Sequence, residues 1–232
     1  MNKYNSVVAV KVRNGLICTG FIFSNIRILV SNSCLSHRKR KLPHSIHILT
    51  GITDPDFNDN DIEEWPKDYT YEVHHVGYFN RRLTIKRDRN SIGYDFRILF
   101  LKGKILFGKH VDLGFLSADS KDLQSRQIFS KVKIILINEN WKKILKLIIE
   151  TISVSFENCF SVSMKLAKRR AIICNIPETR ENLYRKARFG SLLISSQGLF
   201  GPDVIYGIYS SYKINVTSIQ IFTVTSLSNF LK

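Results

Sequence analysis

Short runs rich in Val, Ile, Phe and Tyr recur from one end of the chain to the other, and that recurrence constrains the fold more than any other feature. SVVAVKV (6–12), LICTGFIF (16–23), IRILVS (26–31), SIHILTG (45–51), YEVHHVGYF (71–79) and FRILFLKG (96–103) come first. KVKIILI (131–137), ETISVSF (150–156), RAIICNI (170–176), GSLLISS (190–196), VIYGIYSS (204–211) and IQIFTV (219–224) follow. Each has the length of a strand, and Gly, Asn, Asp and other polar residues punctuate the intervals. Such a chain, with few helical stretches, predicts an all-β sandwich or a pair of barrels. Two segments compete as helices, WKKILKLIIE (141–150) and CFSVSMKLAKRR (159–170), because their apolar residues also fit a helical face. No internal sequence repeat and no low-complexity linker breaks the pattern.

A length of 232 residues with 44% apolar side chains suits one large domain or two subdomains sharing an interface. No apolar run reaches membrane-spanning length, so no transmembrane helix is expected, and the residues after Met1 lack the apolar core of a signal peptide. The acidic stretch DPDFNDNDIEEWPKD (54–68) lacks the aspartate order of an EF-hand and reads as a surface loop. Four cysteines, at 18, 34, 159 and 174, form two local pairs, each enclosing about 15 residues. Two disulfides and an oxidising compartment follow from that even count, with four buried thiols as the alternative. Neither zinc spacing nor a cofactor motif is present, and no cofactor is expected.

The formal charge of +16 implies attraction to polyanions. It is concentrated in bursts: HRKRK (37–41), RR (81–82), KR (86–87), KRR (168–170) and RKAR (185–188). No helix-turn-helix, zinc-finger or RNP-like signature accompanies them, so sequence-specific nucleic-acid reading is not expected. Aromatic residues do not interleave the bursts as they would on a single-strand stacking platform.

LICTGFIFSNIRILVSNSCL (16–35) resembles the segment of chymotrypsin-like serine proteases that usually reads CGGSLI…VLTAAHC. The first cysteine, a small pair, two strands and the second cysteine agree in order and separation. GYDFRILFLKG is similar to that family's NDIALLKL strand, ARFGSLLI (187–194) to GDSGGPLV, YGIYSS to GIVSWG, and IQIFTVTSLSNFL to the closing PGVYTKV segment and helix. The resemblance runs from about residue 6 to 231. It implies a single peptidase-like domain over 1–232 built as two six-stranded antiparallel β-barrels. These would occupy about 1–115 and 125–225, with a short C-terminal helix at about 225–232. It also implies the disulfides Cys18–Cys34 and Cys159–Cys174.

Carried over residue by residue, the resemblance leaves the catalytic triad empty. Ser33 stands at the general-base position, and its hydroxyl cannot take a proton near neutral pH. Phe189 stands at the nucleophile position and offers no atom for attack. Asp95 keeps the aspartate position, with Ser210 as its hydrogen-bonding neighbour. His37 follows Ser33 closely, but a relocated base would still lack a nucleophile. Arg188 replaces the aspartate that receives the freed N-terminus in the family, and Ala187 corresponds to the oxyanion glycine. Arg185 stands where a third disulfide would begin. Leu183, Tyr212 and Gln220 fall on the substrate pocket and fill it.

The implied protein is a secreted, extracellular pseudoenzyme that acts by binding. Its partner would be a protein, such as a protease or a protease substrate, or a polyanion such as a glycosaminoglycan. Lys165, Lys168, Arg169, Arg170, Arg185, Lys186 and Arg188 form the candidate basic patch. The alternative is a trypsin-family serine endopeptidase, which would require the triad to lie elsewhere, for instance with Ser191 as nucleophile. His44 and His47 share a His-x-x-His spacing, but on a strand they project to opposite faces and do not suggest a shared metal. Asn215 in NVT is a glycosylation sequon compatible with secretion.

Overall fold

A computed structural model describes residues 4–12, 16–31, 34–35, 46–52, 69–78, 96–116, 131–140, 143–154, 172–177, 192–196, 203–216 and 219–226. Among them the chain is all-β. The first six strands are β1 (Val7–Val12), β2 (Leu16–Ser24), β3 (Arg27–Ser31), β4 (Ile46–Leu49), β5 (Thr70–Tyr78) and β6 (Phe96–Leu101). The remainder are β7 (Phe115–Leu116), β8 (Lys131–Asn140), β9 (Lys143–Val154), β10 (Ile172–Pro177), β11 (Leu192–Ser196), β12 (Asp203–Val216) and β13 (Ile219–Ser226).

The first six strands close into an antiparallel barrel in the order β1-β2-β3-β6-β5-β4. Side chains alternate across each strand, and β1 shows why its sequence is apolar almost throughout. Val8, Val10 and Val12 join residues of the other five strands in one buried cluster, including Ile22, Ile28, Ile48, Val73 and Leu99, which fills the barrel. Val7 and Ala9, on the opposite face, join a second cluster with Phe21, Leu29 and Leu49. That cluster also contains Leu192, Ile194 and Ile205 from β11 and β12. A strand buried on both faces has no place for an alternating polar set.

Two glycines mark where this packing is tightest. A Cβ at Gly20 would stand 2.7 Å from Val10 Cγ2 and 2.9 Å from Ile28 Cγ2, inside the barrel. A Cβ at Gly114 would meet the Phe21 ring at 2.1 Å. Both distances are well inside van der Waals contact, so a side chain at either position would force its neighbours to shift.

The remaining strands form a seven-stranded sheet in the order β11-β8-β9-β10-β13-β12-β7, with an additional pairing of β11 to β12. All these pairings are antiparallel except the short β12–β7 contact, which is parallel. Omitting β7, the pairings run β8-β9-β10-β13-β12-β11 and return to β8.

Each of the twelve strand-length runs coincides with a strand among its described residues. Most of the competing helix at 141–150 is strand as well: β9 pairs with β8 from Lys131↔Ile152 to Asn140↔Lys143. Short apolar runs satisfy either period. The isoleucine-rich β8, only two residues away in sequence, supplies a partner that settles the choice. The other competing segment, 159–170, lies outside the described residues. Thr225 and Ser226, at the start of the expected C-terminal helix, belong to β13; residues 227–232 lie outside the described set. Helical backbone among the described residues is confined to Cys34, Leu35 and Tyr69. No helix among them is long and apolar enough to cross a membrane.

Candidate functional site

The expected disulfide between Cys18 and Cys34 is formed, with a Cα–Cα distance of 6.1 Å. Cys18 comes from the interior face of β2, and Cys34 follows the end of β3; both are buried in the barrel core. The bond therefore ties the segment just after β3 to the strand before it. Ser33 precedes Cys34 and lies outside the described residues, as does Asp95. The last residue of β3 before Ser33, Ser31, and the first residue of β6 after Asp95, Phe96, are direct register partners. The barrel thus brings together the two strand ends from which those positions extend, and Ser31 there is fully buried.

Phe189, Leu183, Ala187 and the basic residues Lys165, Lys168, Arg169, Arg170, Arg185, Lys186 and Arg188 all lie outside the described residues. So do His37, His44, Cys159 and every basic burst. Tyr212 and Gln220 are placed by their backbones. Tyr212 sits in the irregular stretch of β12 between Tyr209 and Lys213, where the register with β13 shifts. Gln220 pairs with Asn215 beside the turn that closes the same hairpin. Tyr212 and Gln220 are therefore not direct partners, although one hairpin carries both. Ser210 occupies the same irregular stretch of β12. Cys174 pairs with Thr223 of β13 and Val154 of β9.

The structure adds a junction that sequence reasoning missed. Asp203, at the start of β12, accepts hydrogen bonds from Ser6 Oγ at 2.6 Å and from the Ser6 backbone N–H at 3.2 Å. Ser6 is 0% exposed and Asp203 8%. A buried carboxylate must be met by donors, and here two of them come from a residue 197 positions away. Around this polar contact lies the apolar cluster that joins the barrel to β11 and β12. No local signal marks either residue, since both read as ordinary turn residues next to a strand. Chemically the contact is a fastener: Ser6 is committed as a donor to Asp203 in the interior.

A second feature lies on the outer face of the barrel, where β3, β6 and β5 are adjacent. Arg27, Phe100 and His75 stand in one cross-strand row. The β5 register shifts between Val73 and His75, so His74 is the extra residue of a bulge. A regular strand would send successive histidines to opposite faces. Here both rings neighbour Phe100, at centroid distances of 6.4 Å for His74 and 5.5 Å for His75. The Arg27 guanidinium stands 5.6 Å from the same ring. His74 Nδ1 lies 3.1 Å from the Phe100 carbonyl oxygen, which can only accept, so Nδ1 carries the proton. Among the described residues no group of three or more His, Cys, Asp or Glu side chains is arranged to hold a metal ion.

No protein-family model matches the chain, and no curated protein matches it.

Proposed function

We propose that the chain is a non-catalytic homologue of the chymotrypsin-like serine proteases, secreted and acting by non-covalent binding. One observation carries this: the two halves of the chain share a strand order. The barrel runs first-second-third-sixth-fifth-fourth, and the later strands follow the same order, β8-β9-β10-β13-β12-β11, returning to β8. That circuit supports a second six-stranded barrel, as the resemblance implies. The Cys18–Cys34 bridge, in the position expected of the family, adds support and favours an oxidising compartment.

On that scaffold the chemistry has been vacated. Ser33 supplies no base and Phe189 no nucleophile, so peptide-bond cleavage by the usual triad has no means of starting. What remains is a basic surface and a filled cleft. Lys165, Lys168, Arg169, Arg170, Arg185, Lys186 and Arg188 suit a sulfated polymer such as a glycosaminoglycan. Leu183, Tyr212 and Gln220 suit the side chain of a docked protein, a protease or one of its substrates.

The test pairs two measurements on the full chain. A serine-reactive fluorophosphonate probe is expected to leave it unlabelled; stoichiometric labelling at Ser191 would refute the assignment in favour of an active serine endopeptidase. Heparin binding across a salt series is expected to weaken steeply, and neutralising the seven basic residues should flatten the slope. Indifference to salt would shift the partner to a protein docked on the cleft.

A further inference from the structure

We propose that the segment after β6, residues 102–110, is a membrane-surface anchor that sets Leu106 and Phe107 into the interfacial layer of an anionic lipid bilayer. Leu106 is 73% exposed and Phe107 46%, and they are adjacent in the sequence KGKILFGKH. Between β6 and Val111, Ile105 is the buried apolar residue, 3% exposed in the barrel core. The core therefore takes one of three consecutive apolar side chains and leaves two in water.

The segment is held in a set shape. The Ile105 N–H donates to the Asn25 carbonyl at 2.7 Å, and the Leu106 N–H donates to the Tyr71 hydroxyl at 3.2 Å. Gly108 and Val111 exchange reciprocal backbone hydrogen bonds at 2.9 and 3.2 Å, closing the turn that follows Phe107. Apolar side chains on a pinned backbone lose little further freedom on insertion, which lowers the cost of binding.

Charge identifies the occupant. Lys102, Lys104 and Lys109 flank the pair, all exposed. Lys102 is engaged by Glu72 on β5; among the described residues Lys104 and Lys109 have no such bridge. The nearest acidic residue in sequence, Asp112, accepts from the Leu113 N–H within its own turn. Two apolar side chains between lysines, on a chain of net charge +16, match a surface that is apolar below and anionic above. A protein partner would need a broader apolar patch around its anchor residues. Here the exposed residues on either side are Gly103, Lys104, Gly108 and Lys109.

None of these residues belongs to the vacated triad or the filled pocket, so the anchor holds or fails independently of the protease-homologue assignment. The experiment measures co-sedimentation of the full chain with phosphatidylcholine vesicles, with and without phosphatidylserine. Leu106→Ser/Phe107→Ser is compared with wild type, and Phe107→Trp serves as a fluorescent reporter. Binding is expected to require phosphatidylserine and to fall about ten- to hundredfold in the double variant. Trp emission should shift to the blue on anionic vesicles and stay unshifted with soluble heparin. Unchanged binding of the double variant, or absence of the blue shift on vesicles, would overturn the proposal. So would a blue shift produced equally by a soluble acidic protein.

Discussion

Ser6→Ala removes a single hydroxyl, yet the structure assigns it a cost well above that of a surface change. The lost bond is 2.6 Å long and ends on a carboxylate that is 8% exposed. Hydrogen bonds to charged groups contribute roughly 1.5–3 kcal/mol, and a buried acceptor left short of a donor takes the upper part of that range. The Ser6 backbone N–H remains, so the carboxylate is not stripped entirely and the expected loss is about 2 kcal/mol. For a chain of this length that corresponds to a fall in Tm of about 4–8 °C. The assay is urea unfolding of Ser6→Ala, Asp203→Asn and the double variant under non-reducing, disulfide-intact conditions, analysed as a double-mutant cycle. Asp203 has further interactions, so its single variant is not itself the measure. The coupling between the two sites is the measure, expected at about 1–2 kcal/mol. Additivity within about 0.5 kcal/mol would refute the fastener role, because residues 197 positions apart that do not touch in solution have no reason to couple.

Gly20→Ala places a methyl group 2.7 Å from Val10 Cγ2 and 2.9 Å from Ile28 Cγ2 in a closed barrel. It is expected to cost about 1–3 kcal/mol and to lower the denaturation midpoint at an unchanged m-value; a wild-type midpoint would mean the barrel interior yields. Replacing Cys18 and Cys34 together by Ser opens a 16-residue separation and is expected to cost about 3 kcal/mol in the chain-entropy model, read as a lower Tm. An unchanged Tm would mean that the segment after β3 is already ordered without its staple.

The strands were legible because β-branched and aromatic residues cluster at strand length, a local property that survives in a single sequence. β7 was not legible: two residues, Phe115 and Leu116, become a strand only because Val204 and Ile205 lie beside them in parallel. β9 was ambiguous for the same reason, resolved by its neighbour β8 rather than by its own period. The Ser6–Asp203 contact had no sequence signal at all, since each partner gains meaning only from the other. Leu106 and Phe107 were visible as apolar residues, but their exposure depends on Ile105 taking the one inward position available. Cys18 and Cys34 could be paired in advance because their spacing is short. The histidines on β5 share a neighbourhood only through a bulge that no local residue pattern announces.

The shared strand order also explains why no internal repeat is visible in the sequence while one exists in topology. Alternation constrains polarity at each position and leaves residue identity free, so two sheets with one connectivity can drift until no identity remains. Connections drift fastest, and they carry function. In this chain the third-to-fourth connection of the barrel runs from β3 to β4, and its counterpart in the later strands runs from β10 to β11. Ser33 and the HRKRK burst at 37–41 fall within the first; Phe189 and the RKAR burst at 185–188 fall within the second. The two positions where the protease resemblance finds its base and nucleophile replaced therefore share their connections with two of the five basic bursts. Under the proposed reading as a protease homologue, lysine and arginine on both equivalent connections are what anion binding in place of cleavage would require.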